Sequence, residues 1–419
     1  LVSERDKVNA MKVLAAVLGC GLLAVVLHDA FQTIILPRRP VGRFRLTRLF
    51  FLLTWGPWKF VTRQMPSRKV QEQGYSVYGP AALLLLFVLW AGLLTTSYAL
   101  MYLGMHAPFH DPMQPVTALQ RLRGCFYVSG TTLFTLGLGD VLPLTTAARE
   151  MIVVEAGTGL GFVALVIGYV PVLYAAFSER EISVALLDAR AGSPPTAGEL
   201  LLRHNFSGGH HALTTLLAEW ERWCATMLET HISYPILCYY RSQHDNQSWL
   251  AALTAVLDTC ALLITTVDTS EGGGASTRQA QLTFAVGRHT LVDLGHVFHQ
   301  EKREQEMRES PPKRLGDEEY ARLCDLLGGA GFALCGDRGT RERLQAIRVL
   351  YEPHACAMAN YLQLELPTWA PPVRDPGRRR DGWTVVEDLR TPSAVRDRLT
   401  AHISEQSTAS HLHDDVEHF

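Results

Sequence analysis

The chain has 419 residues, 39 of them Lys or Arg and 41 Asp or Glu, for a formal net charge of −2. Its mean hydropathy of +0.06 averages two unlike halves, apolar and basic up to Phe177, polar and acidic beyond. That balance gives no basis for a nucleic-acid partner. Cys20, Cys125, Cys224, Cys238, Cys260, Cys324, Cys335 and Cys356 show neither a disulfide framework nor paired metal spacing, and are expected to be buried thiols.

Crossing a bilayer takes about 20 apolar residues in a helix. Three stretches qualify, 11–36, 81–103 and 147–177. The chain opens at Leu1, and no cleavable signal sequence is evident. Between the first two stretches come Arg38, Arg39, Arg43, Arg45, Arg48, Lys59, Arg63, Arg68 and Lys69, with no acidic residue among them. Such a block stays on the cytoplasmic side. It places the N-terminus outside and everything after Phe177 inside, in the plasma (inner) membrane. Within the block, 44–61 carries Leu49, Phe50, Phe51, Leu52, Leu53, Trp55, Trp58 and Phe60. It is too short to span, and Pro57 is expected to interrupt it. An interfacial helix against anionic headgroups fits this pattern; the alternative is a fourth span. His28 and Asp29 are expected to pair with the neighbouring arginines. No span carries arginine at every third position, so there is no voltage sensor.

After the second span come a loop, 105–118, holding His106 and His110, and an amphipathic stretch, 119–134. Then follows Thr132-Leu133-Phe134-Thr135-Leu136-Gly137-Leu138-Gly139-Asp140. An ion filter replaces water with oxygens, so it needs an extended backbone whose carbonyls share one axis. That alignment requires residues at positive φ, which glycine adopts without a Cβ clash. Gly137 and Gly139 stand at alternate positions. Thr135 can add a ring of hydroxyls at the inner end, and Asp140 a carboxylate at the outer mouth.

The order of outer helix, pore helix, T-L-G-L-G filter and inner helix resembles the prokaryotic two-helix potassium channel pore family, whose filter reads TVGYG. The resemblance covers roughly 81–180. It implies Thr135, Leu136, Gly137, Leu138 and Gly139 as the potassium filter, with Leu136 in place of valine and Leu138 in place of tyrosine or phenylalanine. Pro143, Thr145 and Arg149 match the family's outer loop, and Thr132 one of its filter threonines. Thr131 stands where some members carry a glutamate that pairs with the outer aspartate, so Asp140 needs another partner. One chain carries one filter, and the resemblance implies four chains around the axis. Gly159 falls at the family's hinge glycine.

In the third span Glu155 is an ionisable residue inside the membrane. It is expected to support the back of the filter, with a gating proton site as the alternative. Gly157 and Gly161 form G-x-x-x-G, which eases close helix contact. Gly168 and Pro171 lie lower, where proline removes a backbone hydrogen bond; these four positions and Gly159 are the hinge or gate candidates. The inner mouth is expected at 172–176.

The helix is expected to run on to Ala191, with Gly192-Ser193-Pro194-Pro195 ending it. Amphipathic periods then predict helices over 211–230, 235–241, 248–266, 277–303, 318–327, 340–364 and 393–404. The stretch 250–267 is nearly span-length, but Asp258 at its middle would cost about 3 kcal/mol in a bilayer, so a central soluble helix is expected. His289, Asp293, His296 and His299 share one helical face and are weak metal-ligand candidates; satisfied surface residues are the commoner identity of such a stripe. Gly328-Gly329-Ala330-Gly331 lacks the frame of a dinucleotide fingerprint.

The expectation is an all-α membrane protein: an N-terminal span (1–40), a basic interfacial segment (41–75), a pore domain (76–180), a linker (181–198) and a helical cytoplasmic domain (199–419). It would be a homotetrameric, non-enzymatic potassium channel with K+ as its bound ion, no organic cofactor and an unknown regulatory ligand. The alternatives are a weakly selective cation channel and a membrane receptor or enzyme with a pore-like anchor.

Overall fold

The computed structural model describes residues 2–36, 45–105, 108–113, 117–242, 247–269, 274–298, 300–309, 314–335 and 339–372. The chain is mostly helical and forms two compact units. Leu1–Glu179 and Met227–Arg241 make the first, and Arg180–Thr226 with Ser242–Phe419 the second. Arg38, Arg39, Arg43 and the helix expected over 393–404 lie outside the described residues.

In the first unit, α1 (Val2–Ala30) ends in a π-helical turn, Phe31–Ile35, and packs along α3 (Arg68–Gly104). The approach is close. A Cβ on Gly19 would fall 2.6 Å from the carbonyl oxygen of Ser97, the small-residue contact that brings membrane helices together. Among the described residues three helices are long and apolar enough to cross a membrane: Asn9–Ile35, α3, and α5 (Thr146–Ala191). The protein is a multi-pass membrane protein.

Between α1 and α3 lies α2 (Leu46–Arg63), which is continuous through Pro57. The expected interruption does not occur. Trp55 is buried, 4.7 Å from the Tyr78 ring, and Trp58 donates from Nε1 to the Gly74 carbonyl at 3.0 Å. These anchors flank the proline and hold both halves on α3. The opposite face presents Leu49, Leu52, Leu53 and Phe60. Asp29 is buried, and among the described residues no arginine hydrogen-bonds it, although the Arg45 charge is close enough to interact with it. Its Oδ2 accepts from the Thr47 backbone N–H (3.1 Å), the Thr47 hydroxyl (2.6 Å) and Trp90 Nε1 (3.0 Å). Arg45, the residue before α2, supplies no side-chain cap, so a carboxylate from another helix caps α2. His28 bonds to Gln32 at 2.9 Å.

In the second unit, α8 (Trp249–Thr265) is buried along almost its whole length. Asp258 is fully buried and sits in a fork of Arg314, 2.7 and 3.2 Å away, with the Tyr351 hydroxyl as a further donor. Arg314 also reaches Glu352 at 3.0 Å, and Arg348 reaches it at 3.0 Å. Burial holds the Glu352 carboxyl above its ordinary range, against the pull of Arg314. Against α8 pack α6 (Ala197–Arg203), α9 (Ala275–Val297), α12 (Thr340–Arg348) and α13 (Glu352–Leu362), with α10 (Glu301–Glu309) on α13 and α11 (Asp317–Gly329) on α6. The single helices expected over 277–303 and 340–364 are therefore pairs. In the second pair Pro353 sits in the first turn of α13, where its missing N–H is tolerated and the preceding helix cannot continue through it.

Helix α7 (Gly209–Ser233) has its residues up to Thr226 in the second unit and the rest in the first, and is followed by a 3₁₀ turn, Pro235–Tyr239. Residues 227–241, expected from periodicity to belong with the soluble helices, cluster instead with the first unit.

Candidate ion-conduction site

The site is built on α4 (Ala118–Leu133), whose start is fixed by a capping box. The Thr117 hydroxyl accepts from the Gln120 N–H at 3.2 Å, and the Gln120 side chain accepts from the Thr117 N–H at 3.0 Å. At the other end the backbone turns sharply: Thr135 N–H donates to Thr132 O at 3.0 Å, and Leu136 N–H to Thr131 O at 2.7 Å. Residues 136–139 then run on outside any helix, strand or turn. φ is +57° at Thr135, +55° at Gly137 and +76° at Gly139. The two glycines take the conformation their spacing predicts. Thr135 also takes it, which for a β-branched residue is uncommon. The side chains of Leu136 and Leu138 are each 64 % exposed in the single chain.

Asp140 has the partner that Thr131 cannot supply. The Tyr127 hydroxyl donates to its Oδ2 at 2.7 Å. Thr131 turns its hydroxyl back onto the Tyr127 carbonyl at 2.9 Å. β1 (Phe109–His110) pairs antiparallel with β2 (Leu142–Pro143), and the Phe109 ring meets Tyr102 at 4.9 Å. His110 is exposed in β1; His106 lies outside the described residues. Arg149 donates to Pro143 O at 3.4 Å.

Glu155 is fully buried where α3, α4 and α5 meet. Tyr102 donates to one carboxylate oxygen at 2.6 Å and Ser129 to the other. Ser129 also lies 2.9 Å from the Thr95 carbonyl, and Tyr98 bonds Thr158 at 2.8 Å. A Cβ on Gly159 would collide with the carbonyl oxygen of Leu133, whereas Gly157, Gly161 and Gly168 face open space. So Gly159 lets α5 touch the end of the pore helix, a packing reason beside the expected hinge. α5 is helical through Pro171.

Sequence reasoning missed Tyr127, Tyr102 and Ser129. Tyr127 had a faint signal, being one turn before Thr131 and so on the same face of the helix. Of the weak metal candidates, His289 lies 3.3 Å from Asp293, and His299 is outside the described residues. Among the described residues no three His, Cys, Asp or Glu side chains gather to hold a metal.

Residues 83–174 match the family described as ion channel. The chain is also 27% identical, over 188 residues, to a Bacillus subtilis (strain 168) protein named uncharacterized membrane protein YdjJ. The match takes in 44% of this chain and 52% of that protein, so the chain spans about half the length of the curated relative it matches. No solved structure matches.

Proposed function

We propose, on the premise that residues 83–174 are an ion channel domain, that the protein is a homotetrameric potassium-selective channel. Its conduction is passive, and no enzymatic step is assigned to it. The observation that carries this is the alternation of positive φ at Thr135, Gly137 and Gly139. A strand whose residues alternate hand turns successive carbonyls the same way, and a ring of such strands replaces the shell of a dehydrated cation. One strand offers one side of that ring, so four copies complete it. K+ is the ion held there, and Asp140 gathers cations at the mouth. The C-terminal end of α4 directs its partial negative charge at the central cavity.

The basic block from Arg38 to Lys69 supports an N-terminus outside and a helical second unit in the cytoplasm, where it assembles or gates the pore. The exposed apolar face of α2 fits the inner leaflet of the plasma membrane. Leu138 favours a second reading, a weakly selective cation channel, because leucine stands where the resembled family has tyrosine or phenylalanine and brings no aromatic ring there. Reversal potentials in planar bilayers with potassium opposed to sodium separate the two. A potential near the potassium equilibrium value supports the first, and one near zero the second.

A further inference from the structure

The segment 234–241, which follows α7, plays no part in the conduction site, yet it is docked on two sides. On one side Tyr239 stacks on Phe51 (5.4 Å, 7° between planes) and meets Trp55 and Tyr78, each at 5.2 Å. Arg241 adds an ion pair to Glu72 at 3.3 Å. On the other side Tyr234 meets Tyr169 at 5.5 Å, and Tyr240 meets Phe177 at 5.6 Å. Tyr169, Leu173 and Phe177 are spaced by four, so they form one face of α5. All three are buried in a core that also holds Ile236 and Leu237. Val172 and Tyr174 are exposed.

The covered face thus borders the stretch 172–176 where the inner mouth falls. Higher on α5, Tyr169 touches Phe87 of α3 directly at 6.3 Å. Lower down, the aromatic segment has α2 and α3 on one side and α5 on the other. Close-packed rings compress little, so the lower part of α5 cannot move toward α2 and α3 unless the segment moves first.

We infer that residues 234–241 are a wedge that limits outward movement of α5, so that α7, which ends at Ser233, controls the width of the inner mouth. This role rests on α5 lining the conduction path. It assigns the regulatory input to a continuous 25-residue helix joined directly to the wedge.

The test uses the full chain in liposomes, with a nitroxide at Tyr174→Cys and with Cys20, Cys324 and Cys335 replaced by serine. Electron-spin distances between protomers report the width of the mouth, and single-channel recording reports the open fraction. Tyr234→Ala and Tyr239→Ala lengthen the distances and raise the open fraction roughly tenfold, the size of one lost aromatic pair. Tyr239→Leu, which keeps apolar bulk, gives a smaller change in the same direction. Unchanged or shorter distances in these variants overturn the wedge, as does an equal lengthening by Phe60→Ala on the exposed face of α2. The distances are read whether or not the liposomes pass potassium, so failure of the wedge and failure of the channel reading are told apart.

Discussion

The Tyr127 hydroxyl donates a 2.7 Å hydrogen bond to Asp140 and so ties the residue that follows Gly139 to the middle of α4. A charge-assisted bond of this kind is short and directional. It restrains Asp140 even though neither residue is buried in the single chain. Tyr127→Phe removes the donor and leaves the ring. The expected outcome is an outer mouth that no longer holds its shape, seen as a reversal potential displaced toward zero in opposed potassium and sodium. A potential identical to that of the unaltered protein would show that Asp140 needs no such restraint.

Glu155 joins three helices through Tyr102 and Ser129. Glu155→Gln keeps a side chain able to accept and donate in the same place, so assembly and the pH profile of opening stay close to those of the unaltered protein. Glu155→Ala leaves the buried Tyr102 hydroxyl unpaired, while Ser129 keeps the Thr95 carbonyl; the cost is about 2 kcal/mol per chain, and the melting temperature of the detergent-solubilised protein falls. A shift of the opening profile in Glu155→Gln along the pH axis would restore the gating-proton alternative.

Gly159 has no room for a Cβ, because the Leu133 carbonyl occupies that place. Gly159→Ala forces α5 away from the pore helix and is expected to destabilise the chain by about 2 kcal/mol. Gly168→Ala, which meets open space within the chain, is expected to leave stability unchanged. Thermal melting of the two variants side by side checks the contrast, and equal loss in both would contradict it.

In the second unit His204 is buried, with its ring Nδ1 2.7 Å from the Leu200 carbonyl. Burial lowers its pKa below the ordinary imidazole value, with Arg190 adding to the effect and the Leu200 carbonyl opposing it. The unfolded chain therefore binds more protons than the folded one just below the ordinary histidine pKa of about 6.5. Stability contributed by the neutral ring is complete above that value and is lost as the pH falls toward the lowered one. The melting temperature is expected to drop on acidification across that window, and His204→Gln to make the drop smaller. An equal drop in both proteins would show that other groups carry it.

The parts of the molecule visible in the sequence are those set by local chemistry. The three long helices follow from runs of apolar residues, and α3 and α5 simply extend beyond their apolar cores. Gly137 and Gly139 announced the alternating strand, because only their spacing permits it cheaply. The positive φ at Thr135 had no such marker, since it arises from the turn closed on Thr131 and Thr132. The partners of Asp140 and Glu155 come from other elements: Tyr127 was marked only faintly, by its place one turn before Thr131, and nothing near Glu155 in the sequence points to Tyr102. Helix α2 persists through Pro57 because of tryptophan contacts on α3. The docking of 234–241 is likewise set by tertiary packing, since Tyr234, Tyr239 and Tyr240 find their rings on α2, α3 and α5.

The most direct measurement is potassium flux into liposomes holding the purified full chain, compared with the same chain carrying Gly137→Ala and Gly139→Ala. A side chain at positive φ costs about 1–2 kcal/mol per residue, and the ring repeats that cost in every subunit. The unaltered oligomer is expected to pass potassium in strong preference to sodium, and the double variant to assemble yet pass neither with that preference. Potassium flux of equal size and selectivity in both proteins would contradict a filter at residues 135–139.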